Sequence, residues 1–278
     1  MELGLAHLTA LDLPPADLIK AAGRAGFRSV GLRVHPAMPG GVVYPTQVGS
    51  QAHRELADIL KSEGVRLNEI ECFQLTPDVD IRSFEPLLAA GADLGAAAVT
   101  ISGDDPDTSR LTANVARLCD LAQPFGLRVD IEFMRWRHVG TLQQADAIMR
   151  AAGKPNGAIL VDALHLNRSG GTPADLDAIP VNFQRAVQLC DAAAAIPATE
   201  AAIITEAREG RLPPGDGTLP LFDLMDALPD DIHASVEMPS PAYESRPRIA
   251  IAFQRTKELL ESWQQNQKPK TTRAGRAS

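Results

Sequence analysis

A single α/β domain folded as a closed (β/α)8 barrel is what the sequence predicts, on three observations. Short β-rich runs alternate with amphipathic helical patterns from one end of the 278-residue chain to the other. The repeat comes about every 30 residues, and eight such units in about 250 residues are what a closed barrel of parallel strands with helical crossovers requires. The first run, LGLAHL, is not followed by the glycine-rich phosphate turn that an open, doubly wound sheet would normally carry there. No shift of composition marks a linker, so residues 1–263 are expected to form one domain.

The eight runs read as strands are LGLAHL (3–8), SVGLRVH (29–35), VRLNEIECF (65–73), AAAVTIS (96–102), LRVDIEFM (127–134), GAILVDAL (157–164), RAVQLCDA (185–192) and DIHASVEM (231–238). Between the first three lie PADLIKAAGRAG and AHRELADILKSEG, the second closing on Gly64, a residue suited to a helix C-cap. TLQQADAIMRAAG carries apolar residues three and four apart and also ends in glycine. Thr172-Pro173-Ala174-Asp175 reads as an N-cap with proline at the first helical position. The last stretch, residues 264–278, is polar and basic with no apolar period, and is expected to be a disordered tail.

Composition narrows the function. With 45% hydrophobic and 22% charged residues the chain has material for a sizeable core. A net charge of −8 argues against a nucleic-acid partner, which calls for a basic face. No apolar run is long enough to span a bilayer, and the N-terminus lacks the pattern of a signal peptide, so no membrane partner is expected. Cys72, Cys119 and Cys190 are scattered without a C-x-x-C pair, which reads as free thiols in a reducing, cytoplasmic setting.

In such barrels the reacting groups stand at the C-terminal strand ends. The fifth run ends in Asp130-Ile131-Glu132, the sixth in Asp162 followed by His165, the seventh in Gln188 and Asp191, and the eighth in Glu237. His7 and His35 come from the first two runs, and Glu69 with Glu71 from the third. A lone carboxylate at a strand end is more often a cap or a salt-bridge partner than a ligand. Carboxylates on neighbouring strands, however, repel one another unless a cation sits among them. Oxygen donors without a Cys/His cluster select Mg²⁺ or Mn²⁺ over Zn²⁺.

The stretches VDIEFMRW, NGAILVDALHLNRSGG, VQLCDA, EAREGRLPPGDGTLPL and SVEMPS resemble the sugar phosphate isomerase/epimerase group of xylose isomerase-like TIM barrels. That resemblance implies one divalent ion, Mn²⁺ or Mg²⁺ with Co²⁺ as a further candidate, held by Glu132, Asp162 and Glu237. Gln188 stands where the group has histidine. Gln at that place, and Trp136-Arg137-His138 after the first ligand, also resemble the 3-dehydroshikimate dehydratases, the second stretch with a one-residue shift. The resemblance gives Glu132 and Glu237 the proton transfers. It sets His165 to hydrogen-bond or protonate a substrate oxygen, with a structural histidine as the alternative. For an arginine that holds a substrate oxyanion it offers Arg208 and Arg211, of which Arg211 is nearest the PPG turn. His138, His7 and His35 are candidates for substrate contact, and Ser169-Gly170-Gly171 is either a phosphate cradle or a simple cap with Thr172.

The function so implied is a metal-dependent isomerase or epimerase that takes a proton from beside a carbonyl of a small polyhydroxylated substrate, through an enediolate. A dehydratase of the dehydroshikimate type is the alternative. An abasic-site endonuclease would need further histidine ligands and a basic face, and a non-catalytic barrel would leave the clustered carboxylates unexplained. Assembly into a homo-oligomer is left open.

Overall fold

The computed structural model describes residues 2–36, 40–44 and 46–266. Eight strands, β1 (Leu3–Leu5), β2 (Ser29–Arg33), β3 (Arg66–Leu75), β4 (Ala98–Gly103), β5 (Arg128–Glu132), β6 (Gly157–Asp162), β7 (Gln184–Leu189) and β8 (His233–Val236), pair in chain order into a closed barrel. Every pairing is parallel, and β8 closes onto β1 through Gly4↔Ser235 and Leu5↔Val236. Each predicted strand is present, but most are shorter than read from sequence.

The helices that cover the barrel are α1 (Pro15–Ala25), α2 (Gln51–Glu63), α3 (Glu85–Asp93), α4 (Thr108–Ala122), α5 (Leu142–Ala152), α6 (Ala163–Arg168), α7 (Glu200–Glu209), α8 (Leu221–Ala227) and α9 (Ser245–Asn266). Their ends follow local chemistry. Ser50 accepts from the His53 amide at the start of α2, and Gly64 takes the left-handed conformation that ends it. α5 opens on a capping box of Thr141 and Gln144 and closes on Gly153, again left-handed. α9 runs to Asn266, so the domain boundary expected at residue 263 falls inside a helix; the rest of the expected tail lies outside the described residues.

The sheet is apolar on its outer side and polar on its inner side. Val30 and Leu32, Val99 and Ile101, Val129 and Ile131, and Ile159 and Val161 are fully buried in the layer between strands and helices. Each such side chain contributes about 1.5–3 kcal/mol through burial. The alternate residues point inward: Ser29, Gly31 and Arg33 on β2, Arg128, Asp130 and Glu132 on β5, Leu160 and Asp162 on β6, Ala186 and Gln188 on β7. Barrel interiors are usually filled with branched aliphatics. This one is lined with charge, and the charge collects toward the C-terminal ends of the strands.

Candidate active site

The inward alternation brings Glu132, Asp162 and Gln188 onto three neighbouring strands, and Glu237 follows the last residue of β8. All four are buried, and Glu132, Gln188 and Glu237 line a cavity of about 340 Å³ at this end of the barrel, a size that suits a small metabolite. β6 stops at Asp162 rather than running to residue 164 as expected. Asp162 accepts from the His165 amide at 2.8 Å and so caps α6, which places His165 on a helix. The His165 ring returns to the site, with Nε2 at 3.6 Å from Glu132 Oε1 and the ring in a T-shaped contact with Trp136.

Arg211 organises the anions. Its Nη1 lies 2.5 Å from Asp162 Oδ2 and its Nη2 2.8 Å from Glu237 Oε2. Nε donates to the Ala207 carbonyl at 2.8 Å, and Nη1 reaches the Glu237 carbonyl at 3.3 Å. The side chain is 1% exposed, and its donors are committed to the protein. Arg211 therefore borders the cavity as a clamp on two carboxylates. Arg208 also lines the cavity. Among the described residues it makes no ion pair, and burial together with the charges of Arg137 and Arg33 holds its pKa below the usual guanidinium value.

The carboxylates differ in their titration. Burial, then the charges of Glu237 and Asp162, pushes the Glu132 carboxyl well above the usual range. Burial also raises Glu237, to about 7, against the pull of Arg211. Burial opposes ionisation of Asp162 too, but Arg211 and His165 outweigh it and bring its pKa below the ordinary value. Burial drives His165 down to about 4, so its imidazole is neutral near pH 7.

The histidines proposed for substrate contact stand elsewhere. The His7 ring is spent on the backbone, with Nδ1 accepting from the Arg33 amide at 2.9 Å and Nε2 donating to the Leu13 carbonyl at 3.0 Å. His35 packs against Phe73 and Phe84 and does not border the cavity. His138 is exposed; its neighbours Trp136 and Arg137 face the cavity instead. Arg137 is held by Asp104 at 2.5 Å, and Asp104 also accepts from Gln74. Ser169-Gly170-Gly171 forms a turn with Gly170 at φ 85°, and Asp175 accepts from the Thr172 amide and hydroxyl, in line with the cap. Glu71, one of the polar strand ends, lines the cavity, and so does Arg33, which sequence reasoning missed. The signal was present: Ser29, Gly31 and Arg33 alternate, and Arg33 rather than His35 is the last inward residue on β2.

The donors present fit a divalent ion. Glu132, Asp162 and His165 each offer a ligand atom within 4.8 Å of the others. Glu132 Oε1 and Gln188 Oε1 are buried without a hydrogen-bond partner, a costly state that coordination would relieve. Gln188 Nε2 points to Glu237 Oε1 at 3.4 Å, which leaves its carbonyl oxygen free for a cation.

The family model for the xylose isomerase-like TIM barrel matches residues 19–262. The chain belongs to that family. A 3-dehydroshikimate dehydratase of Pseudomonas putida is 29% identical over 140 residues, which are 50% of this chain and 21% of that one. The chain thus spans about a fifth of the curated relative it matches. Among solved structures, the IOLI protein with a bound zinc atom superposes at a TM-score of 0.77 with 18% identity, covering 95% of this chain and 99% of that one. A probable 3-DHS dehydratase, AsbF of Bacillus anthracis, gives 0.73 and 14%, covering 92% and 99%. D-allulose 3-epimerase of Methylomonas sp. with D-allulose gives 0.66 and 16%, covering 93% and 96%. At these identities the superpositions speak for the fold. Family and neighbours include both epimerases and dehydratases.

Proposed function

We propose that the protein is a divalent-metal-dependent lyase that removes water from a small cyclic hydroxy-ketone bearing a carboxylate, of the dehydroshikimate type. The observation that carries this reading is the cationic wall of the cavity. Arg33 and Arg137 each have a carboxylate partner, Glu71 at 3.5 Å and Asp104 at 2.5 Å. Arg208, repelled by both, has none among the described residues, and an anionic group on the substrate would supply it. A neutral keto-sugar would leave that charge uncompensated. Gln188 at the fourth ligand position and the partial match to the Pseudomonas dehydratase support the same choice.

Glu132, Asp162, Gln188 and Glu237 would hold the ion, with His165 beside them. When bound, the ion polarises a substrate carbonyl and makes the neighbouring C–H more acidic. Glu237, a carboxylate that lines the cavity, takes that proton as general base. The electron pair forms the new double bond as the β-hydroxyl departs with the proton that Glu237 took, and loss of a further ring proton with protonation of the carbonyl oxygen completes the aromatic ring. Neutral His165 donates or accepts a hydrogen bond at a substrate oxygen. Arg208 and Arg137 hold the substrate carboxylate, and Leu8, Leu11 and Trp136 close the apolar side of the cavity. The free, buried thiols of Cys72, Cys119 and Cys190 support a cytoplasmic setting.

A sugar or sugar-phosphate epimerase is the second reading, favoured by the two raised carboxyls, Glu132 and Glu237, in one cavity. The deciding experiment supplies the Mn²⁺-loaded protein with 3-dehydroshikimate and, separately, with ketoses and their phosphates. Formation of the aromatic dihydroxybenzoate, seen by its ultraviolet absorbance, is the expected result. Epimerised sugar with no turnover of dehydroshikimate would overturn the first reading in favour of the second.

A further inference from the structure

Arg33 is the last residue of β2, and Glu71 is its partner in register on β3. Both border the cavity. In a closed barrel of eight strands in chain order, β2 and β3 stand across from β6 and β7, which carry Asp162 and Gln188. The proposed reaction gives this pair no task, yet the surrounding chain is spent on fixing it. The His7 amide donates to Glu71 Oε1 at 2.9 Å, and His7 Nδ1 accepts from the Arg33 amide at 2.9 Å. A β-carbon on Gly31 would collide with Glu71 Oε1, so that glycine keeps open the room the carboxylate occupies.

The pair is charged, buried and loosely matched. Arg33 is 7% exposed and Glu71 2%. Arg33 Nη2 stands 3.5 Å from Glu71 Oε2, and no hydrogen bond joins them. Arg33 Nε and Glu71 Oε2 are both buried without a hydrogen-bond partner among the described residues. Groups left in this state forfeit the hydrogen bonds that normally offset the burial of charge. Their signs decide what would relieve them. An anion would be repelled by the Glu71 carboxylate, and a cation by the Arg33 guanidinium. A hydroxyl suits both: its oxygen accepts from a guanidinium that can only donate, and its proton goes to a carboxylate that can only accept.

We propose that Arg33 and Glu71 together form a substrate-binding subsite for a hydroxyl group, on the cavity wall across from β6 and β7. The subsite rests on this cavity being the substrate site, as both readings above have it, and not on which reaction takes place there. Recognition is thereby divided. Arg208 takes an anionic group, and the neutral pair takes a neutral hydroxyl.

Calorimetric titration of the Mn²⁺-loaded protein tests this with two probes. Shikimate carries ring hydroxyls and a carboxylate; cyclohex-1-ene-1-carboxylate carries the carboxylate alone. Glu71→Gln is expected to weaken shikimate binding about 10- to 100-fold, the worth of a hydrogen bond to a charged group, and to leave binding of the second probe unchanged. Equal losses for both probes would make Glu71 merely structural, and no loss for shikimate would mean that no hydroxyl is held there; either result overturns the proposal. If the wild-type protein binds D-fructose and neither carboxylate, the lyase reading fails, and D-fructose then serves as the probe. The same loss of its affinity in Glu71→Gln supports the subsite, and unchanged affinity overturns it. Should Glu71→Gln fail to fold, wild-type crystals soaked in shikimate or D-fructose decide, with a hydroxyl oxygen expected within about 3.2 Å of both side chains. A bound probe with no hydroxyl at that place overturns the proposal.

Discussion

Arg208 and Arg211 lie three residues apart and look interchangeable in the sequence, yet their surroundings give them opposite tasks. Arg211 neutralises Asp162 and Glu237 from a fully buried position, whereas Arg208 is half-buried and lines the cavity. Arg208→Ala is therefore expected to raise KM for a carboxylate substrate about 10- to 100-fold, the worth of one charge-assisted hydrogen bond, with little change in melting temperature. Steady-state kinetics and a thermal melt check both halves. Arg211→Ala should instead cost about 3–5 kcal/mol of stability, because it strands two buried carboxylates, and urea unfolding of the metal-free protein measures it. Gln188 offers a third test at this scale. Gln188→His should shift metal preference toward Zn²⁺ or Co²⁺, since imidazole suits those ions better than an amide does; unchanged selectivity in competitive titrations would mean that the amide is not a ligand. The residue types at the strand ends were legible as candidates because carboxylates seldom end neighbouring buried strands without a reason. The separation of Arg208 from Arg211 was not, since it depends on which carbonyls and carboxylates fold back onto each guanidinium.

Strands and helices were legible wherever a local signal marks them. The capping box of α5 is written in Thr141 and Gln144, and Gly64 and Gly153 stand where a helix needs a left-handed residue. Thr141→Ala should cost about 1 kcal/mol by chemical denaturation and leave turnover unchanged, because α5 lies outside the barrel. The boundary of β6 was misread for a physical reason. ILVDALHL stays apolar across its end, and nothing in its period says that the chain turns helical at Ala163; the turn is made by the Asp162 carboxylate accepting the His165 amide. The same carboxylate also meets Arg211, so the element boundary and the site share an atom group. On β2 the error was one of depth. His35 lies beyond the last inward position, and Arg33 occupies that position.

For the molecule as a whole, metal binding and protonation are linked. Glu237 has a folded pKa of about 7, above its ordinary value of 4.5, so the metal-free fold binds a proton there that the unfolded chain releases. That contribution to stability is complete below about pH 4.5 and is lost as pH rises through about 7. His165 runs the other way: with its pKa lowered from 6.5 to about 4, the metal-free fold loses stability as pH falls from about 6.5 toward 4. An entering ion must displace the protons held by Glu237 and Glu132, so apparent Mn²⁺ affinity should climb with pH through about 7, with proton release on binding. Calorimetry at pH 6 in buffers of different ionisation enthalpy reads that release; metal binding without it would show that the two carboxyls are already ionised or are not ligands. The sequence by itself determined the eight-fold alternation, the closed barrel and the identity of the acidic strand ends, because periodicity and strand-end chemistry are local and survive in one dimension. Tertiary structure alone decided which side chains share the cavity and which arginine is spent on the protein. Those outcomes depend on distances between strands far apart in the chain, where burial removes water and makes each unmatched charge costly.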